Sequence, residues 1–327
     1  MIRVGLLGCG GIGTRHIAAL KTMPERAELV ACCGRDLERT EDFARLHGGT
    51  AYADFDAMLA AEHLDLVIVA LPPFAHDGQV EAAAMVGVHL LVEKPIALDM
   101  ERARAQVAAT EAAGVVAACA FMYRFGEAVE AWDLAAAEGR TGQPGLFTGH
   151  FHCNALHAQW WRERALSGGQ TVEQLIHIVD LGRHMLGRPT SVYARMANLF
   201  HQDVPRYDTE DVSAMILGYE DGRIGVINAS NGAVPGRWSK GWTMIAGSMT
   251  GVFGDFNAAE LVATVEGKGV ARTIAGERDV FAAQLADLLD AIATGRAPKV
   301  PLREGAESLE IVLAARASAE SGREVRL

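Results

Sequence analysis

An apolar run, Ile2-Arg3-Val4-Gly5-Leu6-Leu7, passes without a spacer into Gly8-Cys9-Gly10-Gly11-Ile12-Gly13, and a stretch rich in Ala and Leu follows. A short strand that feeds a helix through three glycines at this spacing leaves few folds open. Gly8 permits the tight turn, Gly10 lets backbone amides approach a pyrophosphate, and Gly13 lets the helix pack close to the strand. The spacing alone is a weak signal in a chain with 35 glycines, but here the strand before it and the helix after it supply the context that the motif needs.

The next hundred residues repeat that alternation. Apolar, β-rich runs at 2–7, 28–33, 66–70, 88–92 and 115–119 are separated by helical segments, the pattern of a parallel sheet with helices on both faces. Leu66-Val67-Ile68-Val69-Ala70 is apolar throughout, as a strand buried on both sides requires. Asp36 and Asp99 are expected to cap helices, and Gly87 and Gly114 to end them. After a helix over about 126–138, the breaker-rich Gly139-Arg140-Thr141-Gly142-Gln143-Pro144-Gly145 opens a different texture. Longer β segments follow, with a hairpin signal at Glu220-Asp221-Gly222-Arg223 and helices expected over about 171–186, 279–293 and 304–320. A last strand is expected over 323–327. The fold class expected is therefore α/β: a doubly wound Rossmann sheet over 1–122, then an α+β domain over 123–327 with a large, open, mainly antiparallel sheet.

Length and charge narrow the function. A chain of 327 residues exceeds what one core usually serves, and a formal charge of −11 disfavours nucleic acid and anionic membrane as partners. No apolar run approaches the ~18 residues that span a bilayer. Five cysteines at irregular spacing suit reduced thiols, and the chain enters a strand at once without a leader pattern, so a cytoplasmic setting is expected.

About 20 residues beyond the glycine run, where an NAD-binding sheet usually offers a carboxylate to the ribose, stands Gly34-Arg35. Without that carboxylate there is no repulsion toward a 2′-phosphate, and the Arg35 guanidinium can bond to one, so NADP(H) is expected to be preferred. Asp36 can still turn inward to a ribose hydroxyl, which keeps NAD(H) open.

Glu93-Lys94-Pro95 closes the strand-like Val88–Val92 run, and the carboxyl ends of such strands are where an open α/β sheet binds its ligand. Lys94 is thereby a candidate catalytic group. In the second half, Glu173, His177, Asp180 and His184 fall at helical spacing and form one polar stripe on an otherwise apolar helix. Moving a hydride from an alcohol to a nicotinamide needs a base near neutrality and a cation beside the developing oxyanion. The His177 imidazole suits the first need and the Lys94 ammonium the second.

Taken together, the glycine fingerprint, Leu71-Pro72-Pro73-Phe74-Ala75-His76, Glu93-Lys94-Pro95 and Gly168-Gly169-Gln170-Thr171-Val172-Glu173-Gln174-Leu175-Ile176-His177 resemble the glucose-fructose oxidoreductase, inositol dehydrogenase and MocA family over essentially the whole chain. The resemblance implies a Rossmann domain that binds NAD(P) through Gly8, Gly10, Gly11, Ile12, Gly13, Gly34, Arg35, Leu71, Pro72, His76, Glu93 and Lys94. It implies that Lys94 touches nicotinamide and substrate, and that His177 is the proton acceptor. Glu173 stands where the family often has aspartate, and its longer reach weakens that match. Tyr123, Arg124, Trp161 and Arg162 are similar to pocket-lining positions. A sugar, cyclitol or related polyol is the implied substrate, and the open sheet the implied surface of a homo-dimer or homo-tetramer. The family also contains ligand-sensing regulators and redox-neutral enzymes with a tightly held cofactor.

His150, His152, Cys153 and His157 have a rival reading as a metal site, since two histidines two apart on a strand share a face. No fourth ligand with matching spacing is evident, so no metal is expected, and these residues are expected to lend polarity to the substrate pocket.

Overall fold

The computed structural model describes residues 1–154 and 156–327. They divide into two compact units, Met1–Met122 with Asp279–Ala306, and Tyr123–Arg278 with Glu307–Leu327. Segment 279–306 thus returns to the first unit.

The first unit alternates strand and helix in chain order: β1 (Ile2–Leu7), α1 (Gly11–Leu20), β2 (Ala27–Cys33), α2 (Leu37–His47), β3 (Thr50–Tyr52), α3 (Phe55–Ala61), β4 (Leu66–Val69), α4 (Gln79–Met85), β5 (His89–Val92), α5 (Met100–Ala113) and β6 (Ala117–Cys119). The six strands are parallel in the order β3-β2-β1-β4-β5-β6, so the order reverses between β1 and β4. All four residues of β4 have 0% exposure, as its unbroken apolar run requires. Each such side chain contributes ~1.5–3 kcal/mol. Asp36 and Asp99 cap α2 and α5 by accepting from the Arg39 and Arg102 amides, and Gly114 ends α5 at φ 66°. The sequence gives no sign of β3, a three-residue edge strand without a buried side chain.

In the second unit lie α6 (Glu127–Ala137), β7 (Pro144–His152), α7 (Gln159–Arg162), α8 (Arg164–Ser167), α9 (Ile176–Leu186), β8 (Ser191–Ala197), β9 (Val212–Gly218), β10 (Ile224–Ser230), β11 (Ser239–Ala246), β12 (Met249–Asp255), β13 (Ala258–Val265), β14 (Lys268–Ala275) and β15 (Val325–Arg326). The strands form one nine-stranded sheet, β14-β13-β12-β11-β7-β10-β9-β8-β15, antiparallel except for the β7–β10 pair. Asp221-Gly222 turns β9 into β10, as expected. On β7 the buried Phe147, Gly149 and Phe151 face α9, and a Cβ on Gly149 would come 2.4 Å from Ile178. The helix therefore lies close on this strand.

The returning segment carries α10 (Val280–Thr294), capped by Asp279, and the start of α11 (Leu302–Ser321). Helix α10 packs on α1, where Phe281 meets the His16 ring at 5.2 Å and lies under the Arg15 guanidinium. Leu285, Leu288 and Leu289 join the core formed by Val4, Leu6 and Ile17, which is why this segment belongs to the first unit. Among the described residues, no helix is long and apolar enough to cross a membrane.

Candidate active site

In the first unit the glycine run occupies the turn at the carboxyl end of β1, where the strand order reverses. Gly8 has φ +107°, and a Cβ there would come 2.4 Å from the Ala70 carbonyl oxygen; a Cβ on Gly13 would come 2.2 Å from that of Gly8. Gly10 and Gly11 have nothing within 4 Å of the same position. Two glycines are thus required by packing and two face open space, at a helix start that no side chain caps. Backbone amides there meet the needs of an anion such as a pyrophosphate. Ile12 is 47% exposed beside them.

Gly34 and the exposed Arg35 share a cleft of about 500 Å³ with Leu71, Asp54 and Asp77. Asp54 is engaged by the Ala57 amide and Asp77 by Arg102. Asp36 caps α2. Pro72 leads into the turn Pro73–Ala75, and the buried His76 bonds through Nε2 to the Leu71 carbonyl at 3.3 Å, fixing this loop. Burial pushes the His76 imidazole down to about 4, so it is neutral at physiological pH. At the end of β5, Glu93 is held by His16 Nε2 at 2.8 Å and accepts from the Lys94 amide at 3.2 Å. The Lys94 side chain follows, half-buried, at the strand's carboxyl end.

In the second unit the stripe expected on one helix begins in a wider, π-type turn, Thr171–Leu175, before α9. Its residues are engaged by neighbouring segments. His177, 5% exposed, stacks on Tyr123 with ring centroids 4.6 Å apart. Asp180 takes both oxygens' worth of donors from Arg124, at 2.8 and 2.6 Å, and His184 pairs with Asp133 at 2.8 Å. Arg124 is therefore a buried clamp on α9. Arg162 likewise turns to the backbone, donating to the Leu156 and His157 carbonyls. Trp161 Nε1 donates to Glu173 Oε2 at 2.8 Å, so those two residues do lie together.

A cavity of about 500 Å³ opens against Tyr123. Phe151, Trp238, Lys240 and Asp255 also line it. None was indicated by the sequence, because Lys240 and Asp255 become neighbours only through the pairing of β11 with β12. Glu210 was equally silent: its carboxylate accepts from the Thr171 amide at 2.7 Å and occupies the space a Cβ on Gly169 would need, 2.3 Å away. That contact accounts for the second glycine of Gly168-Gly169.

His150 and His152 alternate with Phe151 and so point to the face opposite α9, bonded to Ser239 and Asn228. Cys153 bonds to Asn231 and Gln174, while the His157 ring lies against Trp161 at 4.3 Å. Among the described residues no group of three His, Cys, Asp or Glu side chains is placed to hold a metal ion.

Residues 2–121 match an oxidoreductase family with an NAD-binding Rossmann fold, and residues 133–253 match the GFO/IDH/MocA C-terminal domain. The chain is 34% identical to a D-apiose dehydrogenase of Paraburkholderia graminis over 69% of its own length and 59% of that relative's. It is 29% identical to D-xylose 1-dehydrogenase (NADP(+)) 2 of Haloferax volcanii over 99% of both chains. A levoglucosan dehydrogenase solved with NADH and levoglucosan shares the fold, with a TM-score of 0.92 at 20% identity over 99% of both chains.

Proposed function

The chain belongs to the GFO/IDH/MocA family of oxidoreductases, and from that premise we propose that it moves a hydride between nicotinamide C4 and a carbinol or carbonyl carbon of a sugar, cyclitol or related polyol, with Lys94 and His177 handling the proton. The observation that carries the reading is the open pair Gly10 and Gly11 at an uncapped helix start, at the point where the sheet order reverses. Gly8, Gly10, Gly11 and Gly13 would hold the pyrophosphate, with Gly34, Arg35 and Leu71 toward the adenosine end. When bound, the cofactor supplies the hydride acceptor or donor. His177, oriented by the Tyr123 ring, accepts the hydroxyl proton in oxidation. Lys94, anchored behind by Glu93 and His16, holds the substrate oxygen and stabilises its developing charge. Glu173 bears on the substrate side through its bond with Trp161. We further assign NADP(H) as the preferred cofactor through Arg35.

The test is cofactor turnover at 340 nm against a polyol panel. Lys94→Ala and His177→Ala should each lose ~10²–10⁴ in kcat while NADPH binding, followed by fluorescence, is kept. Full activity in either variant would reject the assignment.

Across the sheet's second face, Ile216, Val226, Thr148, Thr243 and Val252 are successive cross-strand partners on β9, β10, β7, β11 and β12. Ile216 and Val252 are 49% and 48% exposed. We propose that a second copy covers this row, giving a homo-dimer or homo-tetramer. Val226→Arg should lower the mass seen by light scattering.

A further inference from the structure

The cavity against Tyr123 has a floor and a wall that differ in chemistry. Lys240, near the start of β11, places Nζ 3.3 Å from Asp255 Oδ2 at the end of β12. The same ammonium lies 4.8 Å from the centre of the Tyr123 ring and 4.6 Å from that of Phe256. Trp238 stands beside it, 57% exposed, its ring set edgewise to Phe151 and His157. Further along β11 and β12 the inward positions are apolar, Trp242 stacked on Phe253. The ion pair thus sits where the packed core stops and the cavity starts.

Nothing in the fold requires charge at this place. An ion pair whose side chains are 28% and 37% exposed adds little to stability. We propose that Lys240 and Asp255, set between the rings of Tyr123 and Trp238, form a subsite for two adjacent hydroxyls of the substrate, away from the carbon that is oxidised, and that their balanced charge selects neutral polyols over phosphorylated or acidic sugars. This rests on the dehydrogenase reading above and names the substrate class within it.

The donor and acceptor inventory fits. A carboxylate only accepts, an ammonium only donates, and a hydroxyl does both. Of two neighbouring hydroxyls, one donates to Asp255 and the other accepts from Lys240, so each end of the ion pair keeps a partner when water leaves. The exposed face of Trp238 offers flat apolar surface to the C–H face of a sugar ring, the usual division of labour in a small-molecule pocket. An anionic substituent drawn to Lys240 would meet the Asp255 carboxylate beside it, and the repulsion offsets the attraction. Tyr123 links this subsite to the chemistry, because its ring touches both the Lys240 ammonium and the His177 imidazole.

The test uses the full chain loaded with NADP⁺ and three neutral probes, myo-inositol, D-xylose and levoglucosan, against two anionic ones, D-glucuronate and glucose 6-phosphate. Wild type, Lys240→Met and Asp255→Asn are compared for kcat and KM, and for NADPH affinity by fluorescence. The wild type should use at least one neutral probe and prefer it to the anionic ones. Each variant should raise KM for that probe by about tenfold or more with kcat held within about threefold, since a hydrogen bond to a charged group is lost. NADPH affinity should not move. Asp255→Asn should also shift selectivity toward the anionic probes while Lys240→Met shifts it away, a pair of opposite signs that misfolding does not produce. Neutral turnover with wild-type KM in both variants overturns the subsite and leaves the dehydrogenase reading standing. A wild type that prefers an anionic probe overturns the selectivity. A wild type that binds NADPH yet uses none of the five overturns the dehydrogenase reading and the subsite with it.

Discussion

The Tyr123 ring lies on the His177 imidazole with centroids 4.6 Å apart and planes 23° from parallel, and it also meets the Phe256 ring at 4.9 Å. An imidazole stacked on a ring that is itself packed has few orientations to sample, as the proposed base requires. Tyr123→Phe keeps that surface and should keep kcat within about threefold, whereas Tyr123→Ala should lower kcat by ~10- to 100-fold through loss of orientation. Burial raises the Tyr123 hydroxyl well above its ordinary range, with Asp255 and Glu173 adding to the shift, so the phenol is not an alternative base. Equal loss in Phe and Ala variants would assign the effect to the hydroxyl instead.

Arg124 and Asp180 form a bidentate pair in which the side chains are 4% and 1% exposed, with Ser308 donating to the same carboxylate at 3.0 Å. Removing either partner upsets the charge balance of this buried cluster, in which Arg183 also lies 3.7 Å from Asp180. Arg124→Met or Asp180→Asn should cost about 3–5 kcal/mol of unfolding free energy, and the double change to Met and Leu should recover much of it. Urea denaturation of the three variants checks this. A substrate contact at Arg124 predicts the reverse: a raised KM at unchanged stability.

These two cases show what a sequence carries and what it withholds. The strands of the first unit were legible because parallel pairing buries them on both faces, and Leu66–Val69 has no polar residue to offer. Edge strand β3 was not, having no buried face. In the second unit the Asp221-Gly222 turn announced its hairpin, but the parallel β7–β10 pairing joins segments that share no local signal. At the candidate site, Lys94, Glu173 and His177 were singled out by type and spacing. Arg124 was named by resemblance alone, and which atoms its guanidinium meets depends on a helix 56 residues away in sequence. Lys240, Asp255 and Glu210 belong to no motif and meet their partners only through long-range register.

His76 gives a pH test of the first unit. Its folded value, about 4, lies below the ordinary 6.5, chiefly because burial disfavours the imidazolium. Above pH 6.5 both states are neutral and the group has no effect. As pH falls from 6.5 to 4 the unfolded chain takes up a proton that the folded one refuses, so stability drops, by about 3 kcal/mol over the full window. His76→Gln keeps a donor for the Leu71 carbonyl and removes the titration. Urea midpoints between pH 7 and 4.5 should fall less steeply for the variant; parallel curves would show that the imidazole is not held neutral.

Gly10 and Gly13 should respond in opposite ways to the same added methyl group. At Gly13 the new Cβ meets the Gly8 carbonyl oxygen at 2.2 Å, so the turn must shift, at a cost of ~1–3 kcal/mol in stability. At Gly10 the backbone is extended and the space ahead is open, so stability should stay within ~0.5 kcal/mol. There the methyl group instead stands where the cofactor's pyrophosphate approaches, and NADPH affinity should fall about tenfold or more. Thermal unfolding and fluorescence titration of the two variants separate the effects, and a Gly10→Ala enzyme with unchanged NADPH affinity would reject the cradle.

Arg35 is the residue to which we assign the choice between the two cofactors. It is exposed at the cleft it shares with Gly34, and of the carboxylates lining that cleft, Asp54, Asp56 and Asp77, the first is engaged by a helix amide and the last by Arg102. An incoming 2′-phosphate therefore meets a guanidinium whose attraction is only partly offset. Arg35→Asp replaces that donor with a like charge, so the NADP/NAD ratio of kcat/KM should fall by about 10- to 100-fold, with most of the change in KM for NADP. Arg35→Gln, which keeps hydrogen-bond donors but no charge, should fall between the two. A ratio that is the same in all three enzymes would place the determinant elsewhere in the cleft.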